Sequence, residues 1–394
     1  MTAHVTDLSS VRRPIDQANG LPNAHYIDPG VFDEEKQALL FDQWAGLAVA
    51  ADVPDAGDAV PLTFLGMPLL LVRDRNGQVR VFQNTCRHRG MILVEEPRKI
   101  EGAIRCPYHS WCYSTEGKLV STPHVGGPGQ NTHPAIDRAL LGLVEIRSHV
   151  WLDVIWINVS GTAAPFEVAN ARLLDRWREF DQPLYHGGTD SRFQIEVACN
   201  WKLAVENYCE SYHLPWVHPG LNSYSRLEDH YHIEEPGLFS GQGTLVYRQL
   251  KDYEGRTFPD FAGISGTWDT AAEYVTAFPN VLLGVHRDHA FAIILVPQGP
   301  ERTVEHVHIY YATPTQPEDL RAKNSQQWKT VFKEDVFVVE GMQRGRHGVA
   351  FDGGRFSPAM DGPTHLFHDW VAEKVSARRA AGQAAAPFAA QAAE

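Results

Sequence analysis

Cysteine is scarce in this chain: five residues in 394, an odd number and too few for a disulfide scaffold. Long apolar runs are missing too, so no segment reads as a membrane span. Basic residues are outnumbered, 35 Lys and Arg against 48 Asp and Glu. The resulting net charge of −13 argues against a nucleic-acid or anionic membrane surface as partner. No Gly-x-Gly-x-x-Gly follows a strand-like run, so the chain carries no dinucleotide fingerprint of its own. The opening stretch, MTAHVTDLSSVRRPIDQ, has no apolar core of the kind a secretory leader needs. A cytoplasmic protein is expected, in a reducing compartment where thiols serve as metal ligands.

What is present is an ordinary globular composition, 43% hydrophobic, in a chain long enough for two domains. The run DEEKQALLFDQWAGLAVAADV (33–53) has helical apolar spacing. From Leu62 to Ile157 the pattern changes to short strands. Asn76-Gly77 marks one hairpin turn and Glu116-Gly117 another, while HVWLDVIWINVSG reads as one buried strand. A small β-domain with its N-terminal helix is expected over 1–161. A second domain is expected over 162–380, mixing strands with a long helix over 317–345 that has Pro317 near its start. The fold class is therefore α+β, with an antiparallel sheet gripping a long C-terminal helix. Residues 381–394, rich in Ala, read as a disordered tail.

The densest chemistry lies between Asn84 and Trp111. Cys86 and His88 are one residue apart, Cys106 and His109 two apart, and seventeen residues separate the pairs. Each pair leaves a strand, so two neighbouring loops can present two thiols and two imidazoles to one site. Zinc accepts such a set. A [2Fe–2S] centre with Cys on one iron and His on the other accepts it too, and suits the mixing better. Zinc-finger spacing keeps Cys with Cys and His with His, whereas here each loop supplies one of each. Pro107 and Gly90 shape the loops, and Trp111 is placed to cover the site.

A second cluster follows in NWKLAVENYCESYHLPWVHPGL. His213 and His218 are four residues apart, with Glu210 three before the first, on one helical face that Pro215 then breaks. Two neutral imidazoles and a carboxylate with open positions are the donors of a non-haem Fe(II) site. For the carboxylate, KEDVFVVEGMQRG offers Glu334, Asp335 and Glu340.

The Cys-x-His-x17-Cys-x2-His stretch closely resembles the Rieske motif of ring-hydroxylating oxygenases. The whole chain, from LPNAHYIDPGVF to GRFSPAMDG, resembles the α-subunit of a Rieske non-haem iron oxygenase. The resemblance implies a [2Fe–2S] cluster on Cys86, His88, Cys106 and His109, and a mononuclear Fe(II) on His213, His218 and Asp335. It also implies a homotrimer in which electrons pass between chains, with residue 210 bridging His213 to His109 of the next chain. Most of the family has Asp there. Glu210 matches the subgroup that resembles carnitine, glycine-betaine and proline-betaine (stachydrine) oxygenases. Asn207 is expected near the iron without ligating it. The implied activity hydroxylates or oxidatively demethylates a small substrate with O₂, as a monooxygenase or dioxygenase. A separate NAD(P)H-dependent reductase or ferredoxin must feed it, and a basic excess at Arg87, Arg89, Arg98, Lys99 and Arg105 is a docking candidate.

Substrate identity is less legible. A quaternary ammonium needs an aromatic cage, for which Tyr208, Tyr212, Trp216, Tyr224, Tyr247 and Trp268 are candidates. An aromatic acid needs an apolar pocket and an arginine, from Arg226, Arg248 or Arg287. Two other classes remain open: a Rieske electron carrier with a degenerate second domain, and a zinc-stabilised module that binds a hydrophobic ligand. His306, His308, His365 and His368 read as packing or surface residues, and Cys112, Cys199 and Cys209 as buried thiols.

Overall fold

The computed structural model describes residues 6–382. The Ala-rich tail from 383 onward lies outside the described residues. The described residues divide into one unit of Leu47–Thr162 and another built from residues 6–46 and 163–382.

The smaller unit is all β, with ten strands: β1 (Ala45–Val49), β2 (Asp58–Phe64), β3 (Met67–Arg73), β4 (Val79–Gln83), β5 (Arg98–Lys99), β6 (Ile104–Arg105), β7 (Cys112–Tyr113), β8 (Leu119–Ser121), β9 (Glu145–Trp151) and β10 (Val154–Asn158). Seven form a sheet in the order β1-β10-β9-β4-β3-β2-β5, and β6-β7-β8 form a second. Asn76-Gly77 makes the expected turn, with Gly77 at φ 83°. The Asp74 carboxylate fixes it by accepting from the Asn76 and Gln78 amides at 2.8 and 2.9 Å. Gly117 turns β7 into β8 at φ 85°, where a Cβ would stand 2.6 Å from the Phe82 ring.

Two local expectations fail here. The single strand at 149–161 is a hairpin, β9 and β10 turning at Leu152-Asp153 with φ 49° and 63°. Neither residue is the glycine that normally flags such a turn. The run 33–53 is helical to Phe41, after which β1 joins the sheet and a single 3-10 turn, Ala50–Asp52, follows it. Helical spacing and a short buried strand look alike over five apolar residues.

The larger unit carries β11 (Tyr185–His186), β12 (Arg192–Val197), β13 (His230–Glu235), β14 (Phe239–Thr244), β15 (Ala272–Ala277), β16 (Val281–Val285), β17 (His289–Gly299) and β18 (Arg302–Tyr311). The sheet runs β11-β18-β17-β16-β15-β14-β13, with β12 also paired to β18. Helices Trp201–Cys209 and Gly362–Ala380 pack on it. The expected long helix exists but is interrupted: Glu318–Glu334 and Val336–Gly345 meet at Asp335.

The smaller unit ends at Thr162, and residues 6–46 belong to the larger unit. Buried polar contacts explain why. Lys202 donates to Glu35 at 2.5 Å, Glu35 also meets His25 at 2.8 Å, and Tyr26 donates to Glu206 at 2.5 Å. A fully buried lysine without that carboxylate is strongly disfavoured, so the N-terminal segment is tied to the Trp201–Cys209 helix.

Candidate active site

In the smaller unit the two loops are built alike. The Cys86 amide donates to Met91 O at 2.8 Å and the Cys106 amide to Trp111 O at 2.8 Å. The residue four on from each Cys returns a bond to the cysteine carbonyl, Gly90 at 3.0 Å and Ser110 at 3.1 Å, and both have positive φ. Both thiols are thereby turned inward, 3% and 2% exposed. The His88 and His109 rings lie edge to face outside them, centroids 4.7 Å apart, and Trp111 stacks on His88 at 4.7 Å. The Tyr113 hydroxyl contacts Cys86 Sγ at 3.2 Å.

These residues fit a [2Fe–2S] cluster. His109 Nδ1 is buried with no hydrogen-bond partner, which a metal would supply. Burial pushes the Cys86 thiol above its ordinary pKa, a cost that iron coordination reverses. Buried sulfur inside and imidazole outside is the division that Cys on one iron and His on the other requires.

The second cluster sits where the Trp201–Cys209 helix ends. Asn200 caps the start, accepting from Lys202 N at 3.1 Å. The helix stops at Cys209, so Glu210 and His213 do not share a helical face as expected. Glu210 is extended (φ −125°, ψ 160°), and its carboxylate closes the next turn instead. Oε2 accepts from the Tyr212 and His213 amides, and Oε1 meets His213 Nδ1 at 2.6 Å. Nor does Pro215 break that helix. It opens the short turn Leu214–Val217, which hands the chain to His218.

His213, His218 and Asp335 converge, their ligand atoms all within 4.8 Å of one another. Asp335 Oδ1 lies 3.0 Å from His218 Nε2 and 3.7 Å from His213 Nε2, yet it is buried without an aligned hydrogen bond. Lone pairs aimed at one point without bonding each other are what a cation would occupy. Two imidazoles and one carboxylate fit ferrous iron and leave positions open. Burial opposes charge on His218, but Asp335 and Glu334 outweigh it and raise the ring's pKa, so protons compete with a metal there.

Glu334, weighed from sequence as a ligand, instead holds His218 Nδ1 at 2.8 Å. Each imidazole thus has a carboxylate behind it, Glu210 for His213 and Glu334 for His218, which fixes the tautomer that points Nε2 at Asp335. Glu340 is elsewhere, accepting from Ala198 N at 3.0 Å.

A cavity with an empty volume of about 830 Å³ opens onto these donors. Asn207 lines it together with His213, His218 and Asp335. Of the expected cage residues, Tyr208, Tyr224 and Tyr247 line it. Tyr212 and Trp216 are exposed, and Trp268 packs on Phe180 at 4.6 Å. His289 and Phe291, from the apolar run 276–295, also line the cavity, and so do Tyr274 and Trp328, which the sequence does not single out. Helical spacing held the clue for one of these: Asn324, Trp328, Val331, Phe332 and Asp335 line the cavity at intervals of three and four. Of the arginines only Arg248 lines it, while Arg287 pairs with Asp260 and Asp269.

A smaller cavity behind Asp335 holds Glu305, whose carboxyl burial and the Asp335 charge push up to about 8. The folded protein therefore keeps a proton that the unfolded chain releases above the usual carboxylate range. Stability falls as pH rises through that window up to about 8. In metal-free protein Glu305→Gln should remove this loss, gaining about 1–3 kcal/mol over wild type between pH 5 and 9. Urea melts at both pH values check it; parallel profiles for the two proteins would refute the buried proton.

The remaining histidines pack as expected. His308 is buried against His186 at 3.2 Å, and burial holds its pKa down at about 2. His368 accepts from Leu21 N, and His365 meets Val11 O. All five cysteines are buried and unbridged.

With this geometry in place, residues 174–377 match the family described as "Ring hydroxylating alpha subunit (catalytic domain)", and residues 43–134 match "Rieske [2Fe-2S] domain". The chain belongs to the ring-hydroxylating oxygenase α-subunit family. It is therefore a Rieske non-haem iron oxygenase, carrying a Rieske [2Fe–2S] cluster and a mononuclear iron. The carnitine monooxygenase oxygenase subunit of Acinetobacter pittii is 25% identical over 337 residues, 84% of this chain and 86% of that one. The chloroplastic choline monooxygenase of Arabidopsis thaliana is 26% identical over 369 residues, 90% and 82%. In fold the oxygenase resembles the quaternary ammonium Rieske monooxygenase CntA in complex with L-carnitine (TM-score 0.76, 22% identity, 94% and 99% covered). It also resembles naphthalene 1,2-dioxygenase from Rhodococcus (TM-score 0.75, 18% identity, 94% and 98%). Among the described residues no helix is long and apolar enough to cross a membrane.

Proposed function

We propose that this oxygenase hydroxylates a carbon attached to the nitrogen of a small quaternary ammonium compound such as a betaine. The carbinolamine then splits its C–N bond, giving a carbonyl compound and a tertiary amine. Oxygen insertion balances as substrate, O₂, two electrons and two protons giving hydroxylated product and water. The observation that carries the reading is the cavity wall: Tyr208, Tyr224, Tyr247, Tyr274 and Trp328 surround the approach to His213, His218 and Asp335. Aromatic faces hold a quaternary ammonium that no hydrogen bond can reach. The relatives named above, carnitine and choline monooxygenases, support the same class.

In this reading Cys86, His88, Cys106 and His109 hold the cluster, and His213, His218 and Asp335 hold the single iron. When bound, the cluster supplies electrons singly and the single iron supplies a site for O₂. Glu210 and Glu334 orient the two imidazoles, Asn207 offers a polar group beside them without ligating, and the aromatic wall keeps water from the reacting carbon. Glu210 further joins His213 to His109 of a neighbouring copy in a homotrimer.

Electrons come from a separate reductase or ferredoxin that docks on the basic face around Arg87, Arg89 and Arg105. Arg98 donates to Leu93 O and Lys99 pairs with Asp58, so these two expected contributors are already engaged. Unbridged cysteines and an acidic surface suit a cytoplasmic setting.

O₂ uptake with a surrogate reductase tests the substrate class. Betaines should stimulate uptake above benzoates or fused aromatics. A panel in which only aromatic acids couple would transfer the protein to the hydroxylases of ring acids.

A further inference from the structure

The cavity's charges restrict its substrate further, given the ammonium reading above. Asp335 is the one carboxylate among its lining residues and Arg248 the one Lys or Arg. Asp288, close by in sequence, is already used: its Oδ1 accepts from Tyr247 OH at 2.8 Å and contacts His289 Nδ1 at 2.7 Å. Trp328 donates to the other nitrogen of His289 at 2.8 Å, which locks that ring in the wall. Tyr208 OH donates to Leu283 O at 2.9 Å, and Tyr274 OH meets His286 Nε2 at 3.1 Å. The phenols of Tyr208, Tyr247 and Tyr274 are thus spent on the wall itself.

Arg248 differs. It follows β14 at the cavity mouth, exposed, with its guanidinium 5.9 Å from the Tyr224 ring centroid, and it has no ion-pair partner among the described residues. Asp335 is committed to the iron, and Glu210 and Glu334 to the imidazole Nδ1 atoms, so no uncommitted carboxylate lines the cavity while its mouth is positive. Aromatic faces attract an ammonium, but the Arg248 charge opposes the entry of a simple cation. A carboxylate on the same molecule offsets that charge, and a guanidinium fork matches it.

We propose that Arg248 is the carboxylate anchor of this cavity, so that the substrate is a zwitterion carrying both a quaternary ammonium and a carboxylate, rather than a simple cation such as choline. The carboxylate lies at the mouth and the ammonium among the aromatic rings, with its carbon substituents toward His213, His218 and Asp335.

The test is calorimetric binding of glycine betaine, choline and benzoate to wild type, Arg248→Gln and Arg248→Lys, paired with KM and kcat from O₂ uptake. Arg248 is a surface residue, so neither variant threatens the fold. Loss of a charge-assisted bond should raise the betaine Kd and KM by about ten- to a hundredfold in Arg248→Gln. The value of kcat should change far less, Arg248→Lys should recover part of the affinity, and choline binding should stay as weak as in wild type. Unchanged betaine affinity in Arg248→Gln, with betaine still a substrate, overturns the anchor and leaves the ammonium reading standing. So does a wild type that prefers choline. If benzoate alone binds, and Arg248→Gln abolishes that, the anchor stands and the ammonium reading falls.

Discussion

Asp335→Ala should lose the mononuclear iron and all substrate-dependent O₂ uptake while the protein stays red-brown. The argument begins with the break between helices Glu318–Glu334 and Val336–Gly345, which sets Asp335 at their junction. Its Oδ1 faces the Nε2 atoms of His213 and His218, whose Nδ1 sides are taken by Glu210 and Glu334, and it is buried with no hydrogen-bond partner. Two neutral imidazoles alone do not hold ferrous iron in competition with water. Cys86, His88, Cys106 and His109 lie in the other unit, so the cluster should be untouched. Iron per chain should fall by one, leaving the two irons of the Rieske centre. Glu334→Ala is the graded comparison. It removes only the support behind His218, and iron affinity should weaken by about ten- to a hundredfold. If Asp335→Ala kept its full iron content and turned over, Asp335 would not be a ligand.

Glu210→Gln should slow oxidation of the Rieske centre by about ten- to a hundredfold, the scale on which support behind a ligating histidine is lost, with both metal centres retained. The wild-type carboxylate faces only donors: Oε2 takes the Tyr212 and His213 amides, and Oε1 meets His213 Nδ1. An amide cannot satisfy that arrangement. Whichever way Gln is turned, its NH₂ confronts either the two backbone N–H groups or the ring N–H. The ring then loses its fixed orientation, and with it the proposed route toward His109 of a neighbouring copy. Glu210→Asp keeps the charge but shortens the reach, so it should slow transfer as well. A purely local role predicts something else, namely loss of mononuclear iron with normal transfer in the fraction that keeps it. Stopped-flow loss of the reduced Rieske absorbance, with substrate and O₂ present, separates the two.

Much of this site could be read from residue order because ligands that arise within one loop leave a spacing. Cys86 with His88, Cys106 with His109, and His213 with His218 are each separated by one to four residues. What brings Asp335 to the histidines is the tertiary fold across more than a hundred residues, so residue spacing alone offers three acids; the family resemblance points to Asp335, and the structure brings that residue to the two histidines. Glu334 was legible as an acid but not as the partner of His218, since adjacent helical residues point in different directions. The cavity wall was half legible: tyrosines near the histidines were noticed, whereas Tyr274 and Trp328 arrive from a distant strand and helix. The fold errors share one cause. At Leu152-Asp153 and over 33–53, local pattern was ambiguous and pairing in the sheet decided.

The most direct measurement is a single turnover without reductase. The protein is reduced chemically, freed of reductant, then mixed with O₂ and glycine betaine while Rieske absorbance and product are followed together. The account predicts rapid reoxidation of the cluster only when betaine is present, with carbonyl compound formed in proportion to the chains that hold both centres. Reoxidation at the same rate with and without betaine, and no product, would contradict it.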